Sequence, residues 1–159
     1  MQILPPHGST EELFISRAMV ALPTIDLEIG RNDWGILYYR WSSPSAALGD
    51  LWVSVKEHEI TLSTNISHTH VASVDFRQEN LTQEEISRRI VDEGVSKAAA
   101  VMRGEIAFTE TFDGNGKKHS SGSCHTENLE ESLRYTRQMF GQEMTKRAFT
   151  WFGEVSTGD

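Results

Sequence analysis

The stretch Leu51-Trp-Val-Ser-Val-Lys-Glu-His-Glu-Ile-Thr-Leu-Ser63 decides the fold. Apolar residues alternate with polar ones on both sides of the Glu-His-Glu segment, and a period of two is typical of β-strands with one buried face. Two such runs joined by a short polar segment predict a β-hairpin. Within this hairpin Trp52 falls on the polar face, whereas Leu51, Val53 and Val55 share the apolar face.

Further strands are predicted on both sides of this hairpin. An alternating run begins at Thr24, and Trp34–Trp41 is apolar on both faces, which indicates a strand inside a sheet rather than at its edge. A later run, Ile66–Phe76, is also predicted as a strand. Because consecutive strands with short connections usually lie side by side, we expect residues 24–76 to form an antiparallel meander.

Helix starts are marked by two capping-box patterns. Ser9 with Glu12 predicts a short helix near the N-terminus, and Thr82 followed by Glu85 predicts a longer helix that runs to about Met102. Apolar residues recur at helical spacing along the second helix, so we expect it to pack on the apolar face of the meander. The fold class predicted is therefore α+β, an antiparallel β-meander with helices packed on the sheet.

The last third of the chain leaves two choices open. Ile106–Phe112 alternates as a strand, but residues 117–125 are equally consistent with a returning strand and a loop. A final helix is predicted to begin at Asn128. If it continues past Gly141 it extends to Phe152, and if it does not, residues 146–152 form a short strand.

Length and composition predict one cytoplasmic domain spanning residues 1–159. A hydrophobic fraction of 38% and a charged fraction of 24% are ordinary for globular proteins. No run of about 18 apolar residues is present, so we expect no membrane association. The N-terminal residues do not resemble a signal peptide, and a single cysteine, Cys124, fits a reducing compartment.

The net charge of −8 bears on the class of partner. An acidic surface repels phosphate backbones and attracts basic molecules, so nucleic-acid binding is disfavoured. We therefore expect another protein as the partner, with a basic one favoured by charge. The sequence leaves the oligomeric state open.

His68-Thr-His70 is the sharpest candidate for chemistry. Residues two apart on a strand project to one side, so both imidazoles can reach a single metal ion. This pair is the basis of an alternative function, a small metal-dependent enzyme. In the other interpretation, both histidines are hydrogen-bonded members of a half-buried strand face. The residues considered for a third ligand are His58, His119, Cys124 and His125.

Cys124-His125 suggests a thiol nucleophile beside a base. Consecutive residues of a strand point to opposite faces, however, and no third group is identified that would orient the base. The sequence therefore predicts no catalytic residue and no cofactor, and it favours a protein that is not an enzyme.

A recognition patch is predicted from the aromatic content of the meander. Trp52, Tyr39 and Trp41 lie close together in sequence, with Glu57 and Glu59 at the hairpin turn. Exposed aromatic rings beside acidic groups are typical of protein interfaces, so we assign these five residues as candidate binding residues. The alternative is that helices cover both faces of the sheet and the rings are core.

The meander that carries Trp34, Trp41 and Trp52, followed by the capped helix from Thr82, resembles the immunity proteins of bacterial toxin systems. Those are small, acidic, cytoplasmic α+β proteins that neutralise a cognate toxin by binding it. The resemblance concerns whole-chain character and transfers no functional residue to this sequence. It implies a non-enzymatic inhibitor whose partner is a toxin domain.

Overall fold

The computed structural model describes residues 5–158, and this part of the chain forms an α+β fold, as the sequence predicted. Its three α-helices are α1 (Thr10–Ala21), α2 (Gln83–Met102) and α3 (Leu129–Phe140), and its two 3-10 helices are Ser73–Glu79 and Thr126–Asn128. Its nine strands are β1 (Leu27–Arg31), β2 (Leu37–Trp41), β3 (Leu51–Lys56), β4 (Glu59–Ser63), β5 (His68–Ala72), β6 (Ile106–Phe112), β7 (Lys118–His125), β8 (Thr145–Thr150) and β9 (Gly153–Val155).

The strands form two antiparallel sheets. The first has the order β1-β2-β3-β4-β5, in which spatial order follows chain order, so the predicted meander is confirmed. The second has the order β7-β6-β8-β9. None of the helices in the described residues combines the length and the apolar character that a membrane span requires.

Contacts divide the chain into two compact units. The first unit comprises Met1–Trp41, Trp52–Leu62 and His70–Ala99, and the second comprises Ser42–Leu51, Ser63–Thr69 and Ala100–Asp159. The prediction of a single domain over residues 1–159 stays a prediction.

The capping box at the start of α2 forms as predicted, but only half of the box at α1 forms, because the Glu12 carboxylate accepts from the N–H of Gly8 rather than from that of Ser9. The Ser9 hydroxyl accepts a hydrogen bond from the backbone N–H of Glu12 (3.3 Å), so α1 begins at the next residue. The carboxylate of Glu85 accepts from the backbone N–H (2.7 Å) and the hydroxyl (2.8 Å) of Thr82, and the Thr82 hydroxyl in turn accepts from the Glu85 N–H (3.2 Å). These bonds satisfy donors that a helix start would otherwise leave without partners.

Helix α2 packs closely on the sheet of the first unit. A Cβ added to Gly94 would lie 2.8 Å from Cδ1 of Ile60 on β4, so the absence of a side chain allows this approach. Ile90, one turn earlier, is fully buried. Ile86 is only half-buried, since it lies in the first turn of the helix.

Gly94→Ala is expected to lower stability by about 1 kcal/mol, because overpacking against Ile60 (about 1–3 kcal/mol) exceeds the gain in helix propensity (about 1 kcal/mol). Urea unfolding followed by circular dichroism measures the change. Ser96→Ala on the same helix is the matched control, because Ser96 is exposed and its replacement brings a small propensity gain alone. If Gly94→Ala were as stabilising as Ser96→Ala, the close packing would be contradicted.

Two strands are shorter than predicted, each because a side chain caps an adjacent turn. Trp34 does not begin a strand: the Asn32 side chain accepts from the N–H groups of Trp34 and Ile36 (both 3.0 Å), and β2 starts only after this turn. The strand predicted over Ile66–Phe76 is limited to β5, because the Asp75 carboxylate accepts from the N–H of Ala72 (2.8 Å) and a 3-10 helix begins there.

The open choices in the last third of the chain are both resolved in favour of strands. Residues 118–125 form β7, which pairs with β6 from Ile106↔His125 onward. Helix α3 ends at Phe140 and is followed by Gly141, whose φ of 123° is accessible mainly to glycine. The chain then continues as β8, the second of the two predicted outcomes.

Candidate functional site

The five-stranded sheet has one buried face and one face that is exposed to solvent. Burial alternates along β2, β3 and β4: Val53 and Val55 are buried, and Ser54 between them is half-buried. The half-buried and exposed residues on the solvent side of these strands form what we call the open face. Its members in the first unit are Tyr38, Arg40, Trp52, Ser54, Lys56, Glu59 and Thr61.

Trp52 lies at the centre of an aromatic and cationic group on the open face. The residue is 37% exposed, and its ring centroid lies 5.2 Å from that of Tyr38, with the ring planes tilted by 53°. The Cζ atom of Arg40 lies 5.2 Å from the ring centroid, which is within the range of a cation–π interaction. The exposed indole is therefore held in place by two neighbours on β2.

Glu28 on β1 fixes those two neighbours. Its carboxylate accepts a hydrogen bond from the Tyr38 hydroxyl (2.8 Å) and forms an ion pair with Nη1 of Arg40 (3.0 Å). Glu28 lies directly opposite Arg40 in the pairing of β1 with β2. The hydrogen bond to this carboxylate raises the pKa of Tyr38, so the phenol stays a donor. We call Glu28, Tyr38, Arg40 and Trp52 the Trp52 cluster.

Tyr39 and Trp41 are core residues, so their assignment to a binding surface is wrong for this structure. They alternate with Tyr38 and Arg40 on β2, and the period of two turns them to the buried side, where they are 3% and 1% exposed. Their rings stack at 5.7 Å, and Nε1 of Trp41 donates to the carbonyl of Pro23 at 2.8 Å. Burial also raises the pKa of Tyr39.

The two predicted acidic residues occupy different positions. Glu59 is on the open face, where its carboxylate accepts from the Thr61 hydroxyl (2.8 Å) and lies 3.9 Å from Nζ of Lys56. Glu57 is exposed in the turn between β3 and β4, and its backbone carbonyl accepts from the Thr10 hydroxyl (2.6 Å). Sequence spacing therefore located one member of the face and one residue of the adjoining turn.

His68 and His70 share one side of β5, as predicted, but that side is exposed to solvent rather than half-buried among apolar residues. Val71 is the buried residue of this strand, and Phe76 reaches the core from the 3-10 helix instead. Within residues 5–158, no group of three or more histidine, cysteine, aspartate and glutamate side chains is arranged to hold a metal ion. The structure thus brings none of the considered third ligands to this pair.

Cys124 and His125 lie on opposite sides of β7, as strand geometry predicts. Burial raises the pKa of the Cys124 thiol, which is the opposite of what an activated thiolate requires. The neighbours that influence this thiol are Ser132 and Lys146. The spacing of Cys124, Ser132 and Lys146 in the sequence did not indicate that they are neighbours, because they belong to β7, α3 and β8.

Glu28, Tyr38 and Arg40 were also absent from the predicted site. The alternation of β2 was a signal for two of them, because Tyr38 and Arg40 lie on the strand face opposite to that of Tyr39 and Trp41. Glu28 is brought to them by strand pairing across the β1–β2 connection.

Comparison of the chain with protein-family models, curated proteins and solved structures gave no match.

Proposed function

We propose that this protein is a non-enzymatic binding protein that engages another protein through the open face, with Trp52 as its anchor. The observation that carries the proposal is the partly exposed Trp52 ring held between Tyr38 and Arg40. Tryptophan, tyrosine and arginine are the residue types most enriched at the energetic centres of protein interfaces.

Preorganisation of the Trp52 cluster supports this role. A side chain that loses rotamer freedom on binding costs about 0.5–1.5 kcal/mol, and Arg40 is already restrained by Glu28 and by its contact with the indole. Tyr38 is restrained in the same way, by its hydrogen bond to Glu28 and by its contact with the indole. Less conformational entropy is therefore lost when a partner covers this face.

The charge of the chain favours a basic partner. A net charge of −8 attracts cationic surfaces and accelerates their association at low salt. Together with the resemblance to toxin-immunity proteins, this supports a finer proposal in which the protein neutralises a basic toxin domain by binding it. In that role no catalytic residue or cofactor is required of the chain.

Trp52→Ala is expected to weaken binding by about 2 kcal/mol or more, which corresponds to roughly a 30-fold increase in Kd, because a central aromatic contact is lost. The fold should remain intact, since the ring is on the solvent side of β3. The measurement is biolayer interferometry with the partner captured from the source lysate, and most of the change should appear in the dissociation rate.

Trp34→Ala is the matched control, because Trp34 is 83% exposed in the turn before β2 and outside the open face. It should leave the affinity unchanged. Equal affinities for wild type and Trp52→Ala would place the interface elsewhere, and loss of the folded state in Trp52→Ala would show that the ring is structural.

Stoichiometric zinc in the purified protein would instead favour the alternative, a metal-dependent enzyme centred on His68 and His70.

A further inference from the structure

The second sheet ends in a long edge strand. In the order β7-β6-β8-β9, strand β7 is hydrogen-bonded to β6 on one side, and within residues 5–158 no strand pairs with its other side. It has eight residues, whereas β9 at the opposite edge has three. Its first four residues are exposed and the next three are half-buried. The outer backbone N–H and C=O groups of β7 are therefore available to a further strand.

The centre of β7 lacks the features that usually keep edge strands apart. Proteins protect such edges with short strands, prolines, bulges or lysines. The stretch Ser120-Ser-Gly-Ser-Cys124 contains no proline and no charged residue. Lys118 lies at the start of the strand, where its Nζ contacts Glu110 at 2.8 Å, and the irregularity in the pairing with β6 is at the same end. The middle of the edge is thus left open to strand pairing.

An apolar side of α3 adjoins this edge. Three large apolar residues of the helix are more than half exposed: Tyr135, Met139 and Phe140. The ring centroid of Phe140 lies 4.8 Å from that of His119 on β7. On the other side of the helix, Nε of Arg137 donates to the carbonyl of Met144 (3.0 Å) in the loop before β8. Residues four apart share a side of a helix, so Tyr135 and Met139 lie together on the side nearer β7.

We call β7 together with Tyr135, Met139 and Phe140 the edge patch. We propose that the edge patch is a homodimer interface, in which the β7 strands of two copies pair antiparallel. The two four-stranded sheets then join into one sheet with four strands from each copy. This inference does not depend on the proposed protein-binding function, because the edge patch and the Trp52 cluster share no residue.

Twofold symmetry makes the edge patch complementary to itself. A twofold axis perpendicular to the sheet runs the two copies of β7 in opposite directions and keeps both α3 helices on the same face of the joined sheet. The Tyr135 and Met139 sides of the two helices then face each other across the seam. Pairing of the edges therefore also covers exposed apolar side chains, which supports a second copy as the occupant.

The charge of the strand is compatible with this pairing. Two copies that each carry a net charge of −8 repel one another, and the repulsion is smallest where neither surface presents carboxylates. Strand β7 contains no aspartate or glutamate. With the twofold axis at Ser121 or at Gly122, Lys118 faces the uncharged position 124 or 126 of the second copy, so the two lysines are not opposed.

Sedimentation equilibrium of the full chain over a range of protein concentrations tests the proposal. We expect the wild-type molar mass to rise towards twice that of one chain. Ser121→Lys should raise the Kd of the dimer at least about tenfold, because it places two like charges beside the twofold axis. This change reduces the net negative charge of each copy, so a general repulsion between copies does not explain such a loss.

Met139→Glu tests the helical part of the edge patch, and Gln138→Glu is its matched control. Both variants add one negative charge at an exposed position of α3, but Gln138 lies outside the edge patch. Met139→Glu should raise the Kd at least about tenfold, because it buries a carboxylate in the seam, and Gln138→Glu should change it much less. Thermal melting checks that each variant is folded, and Met139→Glu decides the matter if Ser121→Lys does not fold.

Hydrogen exchange, read by mass spectrometry, locates the contact. The amides of β7 should exchange more slowly as protein concentration rises, since pairing protects them, whereas the amides of β9 should not change. The proposal is overturned if the dimer survives both Ser121→Lys and Met139→Glu, or if protection appears at β9 and not at β7. A wild-type mass that does not rise with concentration also overturns it and leaves the edge patch to an extended segment of another protein.

Discussion

Trp41→Ala is expected to lower the free energy of unfolding by about 3–5 kcal/mol, the usual cost of removing a large aromatic side chain from a core. Trp41 is 1% exposed, and its ring stacks on Tyr39 at a centroid distance of 5.7 Å. The substitution also removes the indole N–H that donates to the Pro23 carbonyl at 2.8 Å. Urea unfolding, followed by far-ultraviolet circular dichroism, measures the loss.

Two further variants separate the contributions to this loss. Trp41→Phe keeps much of the buried aromatic area but leaves the Pro23 carbonyl without its donor, so we expect an intermediate cost. Trp52→Ala changes the same residue type on the opposite side of the sheet and should cost less than about 1 kcal/mol, since its ring is partly exposed. Equal losses for Trp41→Ala and Trp52→Ala would contradict the assignment of one ring to the core and the other to the open face.

Features of the fold that depend on local chemistry were predictable. The alternation from Leu51 to Ser63 predicted the hairpin of β3 and β4, and the polar position of Trp52 followed from the same pattern. The Thr82–Glu85 capping box predicted the start of α2. In each case the physical cause, a strand period or a helix cap, involves residues within a few positions of one another.

Features that depend on competing turns or on distant pairing were not predictable in the same way. The Asn32 side chain organises a turn inside a run that looked like a continuous strand, and Asp75 does the same after β5. On β2, aromatic residues occupy both faces, so composition did not distinguish the half-buried Tyr38 from the buried Tyr39. That distinction follows from the packed register of the strand rather than from the identity of the residues.

The same reasoning explains which parts of the candidate sites were found. Trp52 was found because its strand alternates strictly, whereas Glu28 and Arg40 come together only through pairing between strands. Ser132 and Lys146 are separated by the end of α3 and the loop that follows, and no periodic pattern connects them with Cys124. Residues linked across elements become visible only when the fold brings their side chains together.

Ile90→Ala is expected to lower stability by about 2–5 kcal/mol, because Ile90 is fully buried on the side of α2 that packs in the first unit. Ile86→Ala is the matched control on the same helix. Both substitutions replace isoleucine by alanine, so both gain the same small helix propensity, and they differ in burial, since Ile86 is only half-buried. Ile86→Ala should therefore cost less than about 1 kcal/mol.

The difference between these two variants measures how firmly α2 is attached to its sheet. Guanidinium unfolding of both proteins, with equal denaturant slopes, gives the two free energies on one scale. A large loss for Ile90→Ala with a small loss for Ile86→Ala indicates that the packing begins at the second turn of α2 and continues to Gly94, where the backbone approaches Ile60. Similar small losses for both would show that α2 is not packed as described, and the support it gives to the sheet that carries Trp52 would then be absent.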